Sequence, residues 1–161
     1  MAAVGVSDRA RSPSAGQWSV ANVLSHLART EGQVAALLQR RANVVPAVER
    51  AALPADGEVS IVASFDGAVV LDRRERVQAP EFAQPDLAQS PDAALRGLKR
   101  ARARLEQVVF TADGKDLRPV RQAHFLFGEL DFYQWVAFVG FHERRHTAQL
   151  REIAAALATS R

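Results

Sequence analysis

Two of the four histidines in the chain, His142 and His146, stand four residues apart in the stretch HERRH. In a helix that spacing sets both imidazoles on one face, one above the other. Two ring nitrogens placed in this way can share one metal ion at about 2.0–2.1 Å each. At about 100° per residue, Trp135, Val139, Leu150, Ile153 and Leu157 fall within roughly 40° of His146, and His142 falls there too. The pair therefore points along an apolar stripe toward a helical interior, where two unpaired imidazoles would be costly. A single histidine on such a stripe is more often a core residue bonded to a carbonyl or a neighbouring side chain. The stacked pair favours a metal.

A tight site takes a third ligand. His26 lies at the edge of the apolar stripe of an earlier helix, and a neighbouring bundle helix can present one histidine to two on its partner. His124, in the stretch HFLFG, reads as a packing residue in the loop before the last helix, ahead of a fourth ligand or a substrate contact. With no cysteine, the chain has no thiol ligand, thiol nucleophile or disulfide framework, so a metal must rely on His, Asp or Glu.

HERRH also matches the HExxH pattern of zinc proteases, in which the glutamate is the general base. That pattern is common by chance, and Gln149 stands where such proteases carry a chain-reversing glycine. If the helix continues, Glu152 points about 120° away from His146. A protease is the weaker reading. Glu143 suits a surface salt bridge better than a role behind a metal ligand.

These residues need helices to hold them. The first runs from Ser19, as N-cap, to about Val45, with Val20, Val23, Leu24, Leu27, Val34 and Leu38 at helical spacing. A short helix is expected within Glu58–Val77. Ser90-Pro91-Asp92 opens the next helix, with Pro at the first position and an acid in the first turn, and that helix ends near Phe110. The last opens at Asp131, with Gln134 as its capping partner, and runs to about Ala158. No sheet is expected. The pattern is an all-α, antiparallel four-helix bundle in one domain over residues 1–161, with residues 1–17 as a flexible tail.

Composition narrows the function classes. Of the 161 residues, 48% are apolar and 24% charged, which supports a packed core and argues against disorder. A net charge of only +3 does not suggest a protein that coats nucleic acid. The basic run Arg96, Lys99, Arg100, Arg102 and Arg104 reads as a solvated helix face. There is no secretory signal and no run of about 18 apolar residues, so neither export nor a membrane span is expected. The expected setting is cytoplasmic.

The pieces Gln17-Trp18-Ser19-Val20 with Leu24, His26 and Leu27, then Ala79-Pro80-Glu81, then HxxFGEL leading into Tyr133-Gln134-Trp135, and finally HERRHTAQL resemble the DinB-like, damage-inducible superfamily. The resemblance runs from Gln17 to Ile153 and is most specific between Tyr133 and Leu150. It implies a four-helix bundle binding zinc, nickel or iron through three histidines, one early and two late. Carried onto this chain, these are His26, His142 and His146. Some relatives transfer low-molecular-weight thiols onto electrophiles, related bundles isomerise maleylpyruvate with a thiol cofactor, and homodimers are common. One departure stands out. Members usually carry a full helix before the QWS segment, whereas only 16 residues precede Gln17 here. The bundle is then completed by the segment around Asp66–Val77, or by a partner chain, or it lacks its first helix.

Three neutral imidazoles leave coordination positions open, as catalytic rather than structural sites do. A metal held there can acidify a thiol or water and present it as a nucleophile at neutral pH. The leading expectation is therefore a divalent-metal-dependent thiol S-transferase or hydrolase acting on a small-molecule substrate. The alternative is a non-catalytic metal- or ligand-binding module of the stress response.

Overall fold

The computed structural model describes residues 4–47, 65–74 and 77–159. Among these, four helices and one hairpin follow in the order α1 (Val20–Asn43), α2 (Gly67–Leu71), α3 (Pro91–Thr111), β1 (Arg121–His124), β2 (Gly128–Asp131) and α4 (Phe132–Thr159). The architecture is helical, as the sequence predicts.

Each long helix begins on the device its sequence announces. Ser19 Oγ accepts from the Asn22 amide at 3.2 Å, and Asn22 Oδ1 accepts from the Ser19 amide at 3.0 Å, a reciprocal box that fixes the start of α1. Ser90 caps α3 ahead of Pro91. Asp131 and Gln134 bond each other's backbone amides at 2.8 and 3.0 Å, so β2 passes into α4 without a connecting loop.

Side-chain pairs set the directions of the helices. Ala28 packs near Gly97, Glu31 binds Arg102, Gln39 binds Arg104 and the Ala42 carbonyl accepts from Lys115, so α1 and α3 run parallel. α4 runs antiparallel to both, with Ile153 and Leu157 against Val23 and Leu27 and with Glu143 on Arg102. The long connection after α1 is what allows the parallel pair.

The hairpin corrects the expectation of no sheet. β1 and β2 pair antiparallel with His124 opposite Gly128, which takes a positive φ of 68° at the turn. The strands are four residues long and only His124 and Leu130 turn fully inward, so no alternating pattern announces them. His124 accordingly sits on a strand, not in a loop.

Within the expected helix over Glu58–Val77, the described part is the single turn α2; residues 58–64, 75 and 76 lie outside the described residues. α2 packs on α4, and Gly67 lies so close to the Phe141 ring that a Cβ there would overlap it. Arg145 of α4 is half-buried. Its guanidinium donates to the Val70 carbonyl at 3.0 Å and to that of Asp72, tying down the end of α2. Over residues 4–17, the expected tail, a 3-10 turn at Val6–Asp8 leads to an Arg9 carbonyl that accepts from the Ala21 amide at 3.0 Å, and Val4 packs against the cluster of Val23, Leu27, Ile153 and Leu157.

Two apolar clusters form the core. The larger holds Val34, Leu38, Leu105, Leu117, Phe132 and Phe138; the smaller holds Val23, Leu27, Ile153 and Leu157. Between the two lie Thr30 and Glu31 along α1 and His142 and His146 along α4, with His26 beside Leu27 at the edge of the smaller cluster. A buried polar layer thus crosses the bundle. No helix of the described residues is long and apolar enough to cross a membrane.

Candidate metal centre

The polar layer brings the three predicted histidines together. His142 Nε2 lies 3.1 Å from His26 Nε2 and 3.2 Å from His146 Nε2. His26 and His146 are buried, and His142 is largely so. The i, i+4 spacing on α4 stacks two rings with centroids 4.5 Å apart, and α1 crosses close enough to insert the third at 4.7 and 5.0 Å.

The outer nitrogens decide which atoms are free. His26 Nδ1 is 2.6 Å from the Ala83 carbonyl, in the 3-10 turn Glu81–Ala83. A carbonyl only accepts, so the proton of neutral His26 sits on Nδ1 and its Nε2 carries a bare lone pair. His146 Nδ1 donates in the same way to Gln149 Oε1 at 2.7 Å. Burial pushes the pKa of all three histidines below the ordinary value, and for His142 and His146 the charge of the neighbouring imidazoles adds to the effect. They are therefore neutral at physiological pH.

Neutral rings with lone pairs converging at such distances fit a cation. His142 Nε2 faces two acceptors and has at most one proton to give, whereas a single metal would satisfy all three nitrogens. Ligands about 2.0–2.1 Å from a common tetrahedral zinc stand about 3.3–3.4 Å apart, and octahedral geometry brings neighbours to about 3 Å. The observed 3.1 and 3.2 Å lie between these values. Nδ1 of His142 is buried with no hydrogen-bond partner.

Other candidates stand elsewhere. His124 is buried among the rings of Phe125, Phe127, Trp135 and Phe138, at 4.6–5.0 Å, and its Nδ1 accepts from the Leu126 amide at 3.1 Å. One of these rings, Phe138, lies 5.3 Å from the His142 ring. Glu143 pairs with Arg102 at 2.9 Å, and Glu152 pairs with Arg73.

Arg102 departs from the solvated face read for the basic run. It makes a fork to fully buried Glu31 at 2.9 and 3.0 Å. Burial pushes the Glu31 carboxyl up in pKa, against the pull of Arg102.

Sequence reasoning passed over three neighbours of the centre. Trp18 packs its ring 5.0 Å from His26 and 6.3 Å from His146, so it walls the site. Gln149 and the Ala83 carbonyl hold the outer nitrogens. The signal for Gln149 was its position three residues after His146, on nearly the same face. Trp18 and Ala83 lie in or just after the QWS and APE pieces.

The chain is similar to known proteins over most of its length. A model of the DinB superfamily matches residues 2–150. The uncharacterized protein YuaE of Bacillus subtilis (strain 168) is 30% identical over 143 residues, covering 88% of this chain and 80% of that protein. No solved structure matches.

Proposed function

Because the chain belongs to the DinB superfamily, we propose that it is a divalent-metal-dependent enzyme whose ligands are His26, His142 and His146. Its activity on this reading is that of a thiol S-transferase or a hydrolase acting on small electrophiles, with a low-molecular-weight thiol as co-substrate in the first case. The observation that carries the reading is the convergence of three neutral Nε2 atoms, two of them stripped of protons by acceptors on the far side of the ring. Such a donor set suits zinc, nickel and iron alike. A metal bound there would act as a Lewis acid and acidify a thiol or water.

The chain's own residues supply the rest. The Ala83 carbonyl and Gln149 hold two imidazoles in the ligating tautomer, and ligand orientation of this kind sustains affinity. Trp18 and Phe138 wall the centre with rings and keep bulk water from it.

The test is elemental analysis of untagged protein alongside His26→Ala and His142→Ala. About one zinc, nickel or iron per chain, lost in both variants, is the expected outcome. Turnover of a thiol with an electrophile by the loaded protein would establish the enzyme. Metal without turnover for any pair tried would favour the binding module. No metal in the wild type after incubation with each ion would sink the enzyme reading.

A further inference from the structure

Two of the three clustered histidines have an acceptor behind the ring, and the third has none. Nδ1 of His26 faces the Ala83 carbonyl and Nδ1 of His146 faces Gln149, whereas Nδ1 of His142 is buried without a hydrogen-bond partner. Among the described residues, one other buried side-chain atom lacks a partner: the hydroxyl of Thr30, a residue of α1 that is 6% exposed. In a helix such a hydroxyl ordinarily donates to the carbonyl four residues back, and that of Thr30 does not.

The fold sets these two atoms at one level of the bundle. The His26 ring lies against both His142 and His146, with centroids at 5.0 and 4.7 Å. Thr30 follows His26 by one turn on nearly the same face of α1, about 6 Å further along its axis. α4 runs the other way, so one turn forward on α1 is one turn back on α4, to the level between Phe138 and His142. The ion pairs agree with this register: Arg102 joins Glu31, next to Thr30, to Glu143, next to His142.

A hydroxyl suits that place. Nε2 of His26 and of His146 both carry lone pairs, so neutral His142 keeps its proton on Nε2 and gives it to one of them, which leaves Nδ1 an acceptor. When Nε2 gives its lone pair to a metal, the proton reappears on Nδ1, which becomes a donor. A carbonyl could serve only the second state, and an ammonium only the first. A hydroxyl both donates and accepts, so it serves the two in turn.

We propose, on the reading of His26, His142 and His146 as metal ligands, that Thr30 is the positioning residue of His142: its hydroxyl accepts the Nδ1–H of His142, directly or across one water, and so holds Nε2 toward the metal.

Thr30→Val and Thr30→Ser separate this role from packing. Valine keeps the branched shape and removes a buried, unpaired hydroxyl, so the metal-free variant should resist urea at least as well as wild type. Competition with a chromophoric chelator should nevertheless show it holding zinc about 10- to 100-fold more weakly. Serine keeps the hydroxyl and should match wild type. In zinc-loaded protein carrying 15N-histidine, the Nδ1 proton of His142 should resonate downfield, as hydrogen-bonded protons do, in wild type and Thr30→Ser, and should move upfield in Thr30→Val. Equal zinc affinity in wild type and Thr30→Val, a serine variant as weak as the valine one, or an Nδ1 proton unmoved by valine would each overturn the proposal and leave the metal centre standing. A wild type that takes up no zinc would instead remove the zinc centre, and the role of Thr30 with it.

Discussion

Gln149 Oε1 stands 2.7 Å from His146 Nδ1, three residues further along α4, and through that one contact a residue that touches no ligand position sets which nitrogen of His146 is free. The contact lies within one helix, so its geometry survives small shifts of the bundle. The corresponding contact of His26 reaches across the fold to Ala83, 57 residues away in sequence. One ligand is thus oriented locally, and the other depends on the segment before α3 being docked.

Gln149→Leu should lower metal affinity about 10- to 100-fold while leaving the helix content unchanged, because the proton of His146 loses its fixed acceptor. Gln149→Glu keeps the acceptor and should retain affinity. Competition with a chromophoric chelator reads both values directly. Equal affinities for the wild type and the leucine variant would remove Gln149 from the site.

Metal should also stabilise the folded chain. A ligand present at 100 times its dissociation constant adds about 2.7 kcal/mol if only the native state binds it. Addition of a chelator should therefore lower the melting temperature of the wild type and leave that of His142→Ala unmoved. A melting temperature insensitive to chelator in the loaded wild type would contradict a folding-linked site.

The buried fork between Glu31 and Arg102 makes an asymmetric prediction. Removing Arg102 strands the Glu31 carboxylate in the core and should destabilise by about 3–5 kcal/mol, whereas replacing both with apolar residues of similar volume should be close to neutral. Urea denaturation of Arg102→Met and of Glu31→Leu/Arg102→Met makes the comparison. A double variant as unstable as the single would show that the layer needs its charges.

Much of this arrangement could be read from residue order because it is helical and local. Ser19, Ser90 and the Asp131–Gln134 pair announced three helix starts, and the spacing of His142 and His146 along an apolar stripe placed them inside before any tertiary contact was known. What stayed hidden depends on contacts between elements. Arg102 and Arg145 look alike as exposed cations on a helical wheel, yet Arg102 turns inward because Glu31 of α1 lies opposite, and Arg145 because the backbone of α2 ends beside it. The hairpin was missed for a related reason. Its inward residues are one histidine and one leucine, and it is held by pairing and by Trp135 Nε1 donating to the Gln122 carbonyl at 3.2 Å, neither of which leaves a periodic trace.

His124 provides a pH signature separate from the metal. Burial lowers its pKa to about 4, from an ordinary value of 6.5. In the unfolded chain it takes up a proton as the pH falls through 6.5, while in the folded chain it stays neutral until about 4. Its stabilising contribution is therefore complete above pH 6.5 and is lost as the pH falls toward 4, a loss of about 2–3 kcal/mol. The three histidines of the centre are depressed in the same direction, so the metal-free protein should weaken still more steeply over this window. Unfolding free energies of metal-free wild type and His124→Asn, measured in urea from pH 7.5 down to pH 4.5, separate the two effects. The asparagine keeps an acceptor for the Leu126 amide but does not titrate, so its slope against pH should be shallower by up to about 1.4 kcal/mol per pH unit. Parallel slopes for the two proteins would mean that His124 protonates as readily in the folded chain as in the unfolded one, and the ring-lined pocket around it would then have to admit water.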